Sequence, residues 1–364
     1  MKMPAELIRE EIHRHRVIPF AQFMELALYS PETGYYEANR DRVGCAGDFI
    51  TSVSTGSLFG ELLAFQFAEW LEAETRSQKS ALKIVEAGAH DGKLARDILG
   101  WLGKCRPELF AGMEYWILEP SPTRQQWQQK TLENFSNIRW CAGFDDLKRK
   151  NKSSKLAGVF FSNELLDAFP LRRLGWDAKA KNWFEWGVAL DGDKYIWAKI
   201  QNPGFQIQNL CPAELARILP DNYSIELSPG AENWWRTAAG ILTQGKLIAI
   251  DYGYTAEEQF SPSRPDGTLR AYYRHQVSGD LLANPGEQDL TAHVNFSRIQ
   301  NAGTEAGLKT DCFCSQPQFL TRILSAAVKG KGFPGLDAKQ VRQFQTLTHP
   351  EHLGRAFRVL IQSR

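Results

Sequence analysis

The chain's 364 residues, 43% apolar and 23% charged, suffice for one large α/β domain with insertions or for two domains sharing a cleft. With 43 Lys and Arg against 42 Asp and Glu there is no broad basic field, which argues against a dedicated DNA- or RNA-binding protein. The six cysteines make no CxxC pair and no zinc-knuckle spacing, so no metal centre is expected and they read as reduced packing thiols.

Residues 1–16 mix acids, bases and Pro4, without the apolar core of a secretory signal or the acid-poor character of a transit peptide. No apolar run is long enough to span a bilayer, and the expectation is a cytoplasmic protein without membrane insertion. Leu7, Ile8 and Ile12 fall at helical spacing, and Phe23, Met24, Ala27 and Leu28 repeat the pattern over residues 20–29. Ser30-Pro31-Glu32-Thr33-Gly34 is a turn by its chemistry, residues 44–57 a polar, Gly-rich loop, and residues 58–74 a long amphipathic helix. Residues 1–75 thus read as a helical segment with no strand pattern of its own.

At Leu82 the pattern changes. Ile84-Val85-Glu86-Ala87 is a buried strand leading into Gly88-Ala89-His90-Asp91-Gly92 and a helix from Lys93. Tyr115-Trp116-Ile117-Leu118 is a second strand that ends at Glu119, followed by a helix with Ser121 at its N-cap and Pro122 at its first position. Ile138-Arg139-Trp140, Val159-Phe160-Phe161 and Leu247-Ile248-Ala249-Ile250 continue the alternation, and residues 307–314 and 356–361 would add two strands. Strands alternating with helices predict a parallel sheet covered on both faces, an α/β Rossmann-like fold. Residues 172–244 interrupt it with a Trp-rich α+β subdomain, in which Asp191-Gly192-Asp193 signals a hairpin turn. The expected division is therefore residues 1–75, a core of 76–171 and 245–364, and the inserted 172–244.

Three clusters carry chemistry. Gly88 and Gly92 flank a strand-to-helix turn, where ligands bind at the carboxyl ends of strands in open α/β sheets. Glu119, at the end of the next strand, is placed to accept the two hydroxyls of a ribose. Asn163-Glu164-Leu165-Leu166-Asp167-Ala168-Phe169-Pro170 follows the fourth strand, and a helix starting there would put Glu164 and Asp167 on one face. The plainer reading of that cluster is helix capping. Gly47-Asp48-Phe49-Ile50-Thr51-Ser52 is the third cluster, and its plainer reading is a capped loop.

These segments, with Tyr29-Ser30-Pro31-Glu32-Thr33-Gly34-Tyr35-Tyr36, Phe59-Gly60-Glu61-Leu62-Leu63, Gly267-Thr268-Leu269-Arg270 and Asn284-Pro285-Gly286-Glu287-Gln288-Asp289-Leu290-Thr291-Ala292-His293-Val294, resemble the mitochondrial complex I assembly methyltransferase family and its bacterial relatives, in order over nearly the whole chain. The resemblance implies a class I methyltransferase that uses S-adenosyl-L-methionine and methylates an arginine of a protein acceptor such as a respiratory-complex subunit. It assigns the cofactor to Glu86, Gly88, Gly92 and Glu119, and His90 and Asn163, at the same sheet edge, are further candidates to bind it. Glu164 and Asp167 become the catalytic candidates, with Asp48 and His293 next. Where the family pattern E-x-G-x-G-x-G has its middle glycine, this chain has His90. A homodimer is one expected state. The competing readings are a cofactor-binding assembly factor or chaperone without turnover and, less well matched, a nicotinamide oxidoreductase.

Overall fold

Short apolar strands joined by helices can bury both of their faces only as a covered parallel sheet, and a computed structural model of the protein has that form. The structure describes residues 2–38, 51–75, 82–151, 155–200, 210–274, 276–330, 333, 335–350, 353–354 and 357–364. The chain divides into two compact units. One comprises Arg40–Leu166, Asn233–Gly253 and Phe296–Arg364, the other Met1–Asn39, Asp167–Glu232 and Tyr254–Asn295.

The first unit holds strands β1 (Lys83–Ala87), β2 (Glu114–Leu118), β3 (Ile138–Cys141), β4 (Leu156–Asn163), β5 (Leu242–Tyr254), β6 (Lys309–Ser315) and β7 (Phe357–Ser363). They lie in the order β3-β2-β1-β4-β5-β7-β6. The five strands β3 to β5 along that path pair in parallel, and β7 runs antiparallel to both β5 and β6. The order reverses between β1 and β4, so the connections leaving these two strands open a crevice at their carboxyl ends.

Helix α1 (Leu58–Thr75) covers this sheet. Its Leu58, Leu62, Phe67 and Leu71 share one core with Ile84, Tyr115, Ile117, Phe161 and Ile250, and the Phe67 and Phe161 rings lie 5.0 Å apart. Residues 1–75 therefore do not act as one segment. The amphipathic helix at 58–75 belongs to the sheet unit, because its apolar residues are too many for a narrow stripe. Helices α2 (Lys93–Cys105) and α3 (Pro122–Thr131) follow β1 and β2.

In the second unit, helices Pro4–His15 and Phe20–Tyr29 pack on an antiparallel sheet built from Ile18–Pro19, Arg172–Asp177, Asn182–Asp191, Lys194–Ile200 and Ser224–Leu227. The hairpin turns at Gly192-Asp193, with Asp191 paired to Lys194. Its aromatics pack on one another: Trp176 on Trp183 at 5.3 Å, Phe184 on Trp186 at 4.8 Å and Trp186 on Trp197 at 6.3 Å between ring centroids. A small sheet of Arg270–Tyr273, Gln276–Ser278 and Asp289–Thr291 completes the unit. Among the described residues no helix is long and apolar enough to cross a membrane.

A buried amide pins the last strand of the first unit. Gln362, fully buried in β7, accepts from Trp235 Nε1 at 2.8 Å and donates to Gln300 O and Thr310 Oγ1, both at 3.0 Å. Gln362→Met keeps the volume but strands these partners, and each unpaired buried polar group costs about 1–3 kcal/mol. Urea unfolding should show a loss of roughly 2–4 kcal/mol, and a loss below about 1 kcal/mol would mean the hub is dispensable.

Candidate functional site

The turn from β1 into α2 is built on left-handed backbone. Gly88, His90 and Gly92 have φ of +75°, +45° and +83°. Space is short as well: a Cβ on Gly88 would come 2.8 Å from Leu165 Cδ1, and one on Gly92 would come 3.3 Å from the α3 backbone at Gln128 Cα. His90 occupies the one non-glycine left-handed position, which costs an L-residue about 1–2 kcal/mol and explains why a glycine suits it. Its side chain has found neighbours, with the Trp127 ring 6.3 Å away and Asp91 Oδ1 3.8 Å from Nδ1. Burial pushes the Asp91 carboxyl up, but hydrogen bonding to His90 and Lys93 outweighs it and holds it well below the usual carboxylate range.

Glu119, at the end of β2, is fully buried. Its Oε1 accepts the Ser121 N–H at 3.0 Å and lies 3.2 Å from Arg124 Nε, and its Oε2 accepts from Gln128 Nε2 at 3.1 Å. Ser121 caps α3, accepting the Arg124 N–H at 3.2 Å. Gln128 also donates to the His90 carbonyl at 3.1 Å, so one side chain touches both the glycine turn and Glu119.

At the end of β4, Ser162 lies opposite Ala87 in the β1–β4 register, which sets Asn163 beside Gly88. No helix begins here, contrary to the helical spacing argued for Glu164 and Asp167. Glu164 is left-handed at φ +50°, and a single 3-10 turn, Leu166–Ala168, follows. The reason lies in Asp251, fully buried at the end of β5. Its Oδ2 accepts the N–H groups of Leu165 at 3.1 Å and Leu166 at 2.8 Å, and its Oδ1 accepts that of Tyr252 at 2.8 Å. Glu164 Oε1 in turn accepts from Asn163 Nδ2 at 3.2 Å and from the Ser52 N–H at 3.3 Å. Asn163 is nine-tenths buried, and its Oδ1 has no hydrogen-bond donor.

Glu86, Gly88, His90, Gly92, Glu119, Asn163 and Glu164 thus converge at the carboxyl edge of one sheet. Asp167 and His293 fall in the second unit. The Asp167 carbonyl accepts the Ala292 N–H at 3.2 Å, and the His293 ring stacks on Tyr254 at 4.6 Å. Asp48 lies outside the described residues. Gln128 and Asp251 escaped the sequence reading. Gln128 lies seven residues, about two helical turns, beyond the Ser121 cap, a spacing that could have flagged it. Nothing local could have joined Asp251 to a turn some 85 residues earlier.

Glu86 lies below the turn, 2% exposed, and accepts the Tyr115 hydroxyl at 2.7 Å. Burial pushes its carboxyl from an ordinary 4.5 up to about 8, against the lowering by Tyr115. With the folded value raised, the stability it contributes is full below 4.5 and is lost as pH rises through 8. Glu86→Gln should therefore gain on the parent by up to about 1.4 kcal/mol per pH unit across that window in denaturant titrations. A constant difference between the two proteins from pH 5 to 8 would contradict the buried neutral acid.

A family model described as "Putative S-adenosyl-L-methionine-dependent methyltransferase" matches residues 62–314. A crystal structure of a methyl transferase candidate from Burkholderia thailandensis, bound to S-adenosyl-homocysteine, is 30% identical; the match covers 99% of this chain and 92% of that one, with a TM-score of 0.82. "Protein arginine methyltransferase NDUFAF7, mitochondrial" of Danio rerio is 26% identical over 93% of this chain and 82% of its own length. Its Homo sapiens counterpart is 27% identical over 93% and 78%. The mitochondrial names overturn the cytoplasmic expectation, which rested on the composition of residues 1–16 and on the lack of a spanning apolar run, neither of which reports a compartment. With a Rossmann-like sheet, a glycine turn at its order reversal and a family match over most of its length, the chain belongs to the S-adenosyl-L-methionine-dependent methyltransferases of this family, and S-adenosyl-L-methionine is its cofactor.

Proposed function

We propose that the protein methylates an arginine of a protein acceptor, a respiratory-complex subunit being the first to test. The arginine rests on the names of the relatives from Danio rerio and Homo sapiens. One observation carries the site: the β1–β4 register brings a glycine turn and an acceptor-rich turn side by side at the order reversal. In this reading Gly88, His90 and Gly92 admit the cofactor's methionine end to the backbone, and Glu119 takes the ribose. Asn163 Oδ1, a buried acceptor without a donor, suits the cofactor's ammonium group. Glu86 stands beneath them.

The bound cofactor supplies an electrophilic methyl on a sulfonium. The protein's part is alignment and exclusion of water, and alignment alone can remove about 7–11 kcal/mol from such a barrier. A guanidinium is cationic at any working pH and sheds a proton as it is methylated. Glu164, fixed by Ser52 and Asn163, is our candidate for orienting it, since a carboxylate meets a guanidinium with two parallel hydrogen bonds. Asp167, His293 and Asp48 are the secondary candidates, and residues 172–244 are assigned to acceptor selection.

Incubation with methyl-labelled cofactor and the acceptor, followed by acid hydrolysis, should leave the label in methylarginine. Label released as a base-labile methyl ester, or found on histidine, would refute the arginine assignment. In single turnover Glu164→Gln should slow transfer by about a hundredfold or more, equivalent to roughly 2–4 kcal/mol, with cofactor affinity unchanged. Asp167→Asn should lose less. An unaltered rate in Glu164→Gln would leave that residue a purely structural part.

A further inference from the structure

We propose that Gln128 is a positioning residue of the cofactor site, one that sets the Glu119 carboxylate and the glycine turn in register with each other. The inference rests on the assignment of Glu119 to the ribose. Gln128 is fully buried on α3, and its amide is matched at every atom described. Nε2 donates to His90 O and to Glu119 Oε2, both at 3.1 Å, while Oε1 accepts from Trp140 Nε1 at 3.0 Å. An indole N–H can only donate, so Trp140 fixes the sense of the amide and aims both of its N–H groups at the other two partners. Those partners belong to two different ligand-facing segments, a backbone carbonyl between Gly88 and Gly92 and the acid at the end of β2.

The geometry separates this role from ordinary core filling. The α3 backbone at Gln128 lies where a Cβ on Gly92 would come within 3.3 Å, so helix and turn are already in contact without the side chain. What the amide adds is direction. It holds one Glu119 oxygen through a charge-assisted bond while the Ser121 N–H and Arg124 hold the other. A carboxylate gripped at both oxygens keeps its plane, and that plane decides whether two vicinal hydroxyls can be met together.

The ribose contribution can be read by itself. Adenosine and 2′,3′-dideoxyadenosine would be competed against S-adenosylhomocysteine on the full-length protein, and the ratio of their dissociation constants measured. In the parent protein the dideoxy compound should bind about a hundredfold more weakly, the loss of two charge-assisted hydrogen bonds. Gln128→Met should cut that ratio about tenfold, as one such bond to Glu119 is lost. Trp140→Phe, which removes the N–H that orients the amide together with part of the ring, should cut it less, and the double variant should be no worse than Gln128→Met alone. Glu119→Gln should bring the ratio close to one.

A residue that merely stabilises the fold would weaken both nucleosides equally and leave the ratio untouched. That result for Gln128→Met and Trp140→Phe, with Glu119→Gln still collapsing the ratio, overturns this inference alone. If Glu119→Gln also leaves the ratio unchanged, the ribose assignment falls and the inference falls with it. Should Gln128→Met fail to fold, Trp140→Phe decides, because it leaves the α3 sequence unchanged and acts through the Gln128 amide.

Discussion

The site depends on the parallel pairing of β1 with β4. Ala87 lies opposite Ser162, so the two chains leave the sheet at the same level and side by side. Each must turn at once to avoid its neighbour, and each does so through left-handed backbone, at Gly88, His90 and Gly92 on one side and at Glu164 on the other. Turns that tight leave backbone groups and short side chains facing outward, which is what a ligand at a sheet's carboxyl edge requires. The rest of the sheet unit, from α1 over the core to the Gln362 hub on β7, keeps that pairing rigid.

Glu86, Glu119 and Asp251 are buried acids near this edge, each held by different partners. Glu86 accepts the Tyr115 hydroxyl, and burial, with Asp91 nearby, pushes its carboxyl up to about 8. Glu119 has a guanidinium, an amide and a backbone N–H. Asp251 accepts three backbone N–H groups. A buried polar group must have its lost hydration replaced, and the hydrogen bonds to Glu119 and Asp251 do this while holding both carboxyl groups in fixed directions.

The second unit draws together segments that are remote in sequence. The N-terminal helices, the Trp-rich hairpin and the strands of residues 270–291 form its two small sheets and its apolar core. In the Trp-rich stretch Trp183, Trp186 and Trp197 are each half-buried, Trp183 on Trp176 and Trp197 between Trp186 and Phe20 of an N-terminal helix. The strand order and the glycine turn belong to the sheet unit, while the family match at residues 62–314 runs through both units.

Elements whose cause is local can be read from the chain alone. Apolar runs mark β1, β2, β4 and β5, Ser121-Pro122 starts α3, and Gly192-Asp193 turns the hairpin, each through its own residues' conformational preferences. The glycine turn with Glu119 was legible for the same reason, and so was the resemblance that ties it to S-adenosylmethionine. Interactions closed by distant partners emerge only once the chain has folded. The Asn163-Glu164 segment looks like a helix start, yet its next N–H groups are taken by Asp251, and the chain makes a 3-10 turn instead. Gln128 reads as one of several polar residues on a helix until the sheet brings His90, Glu119 and Trp140 around it. Hydrogen bonds across such separations leave no periodicity in the chain, because their geometry is set by the packing of the sheet and not by the residues alongside.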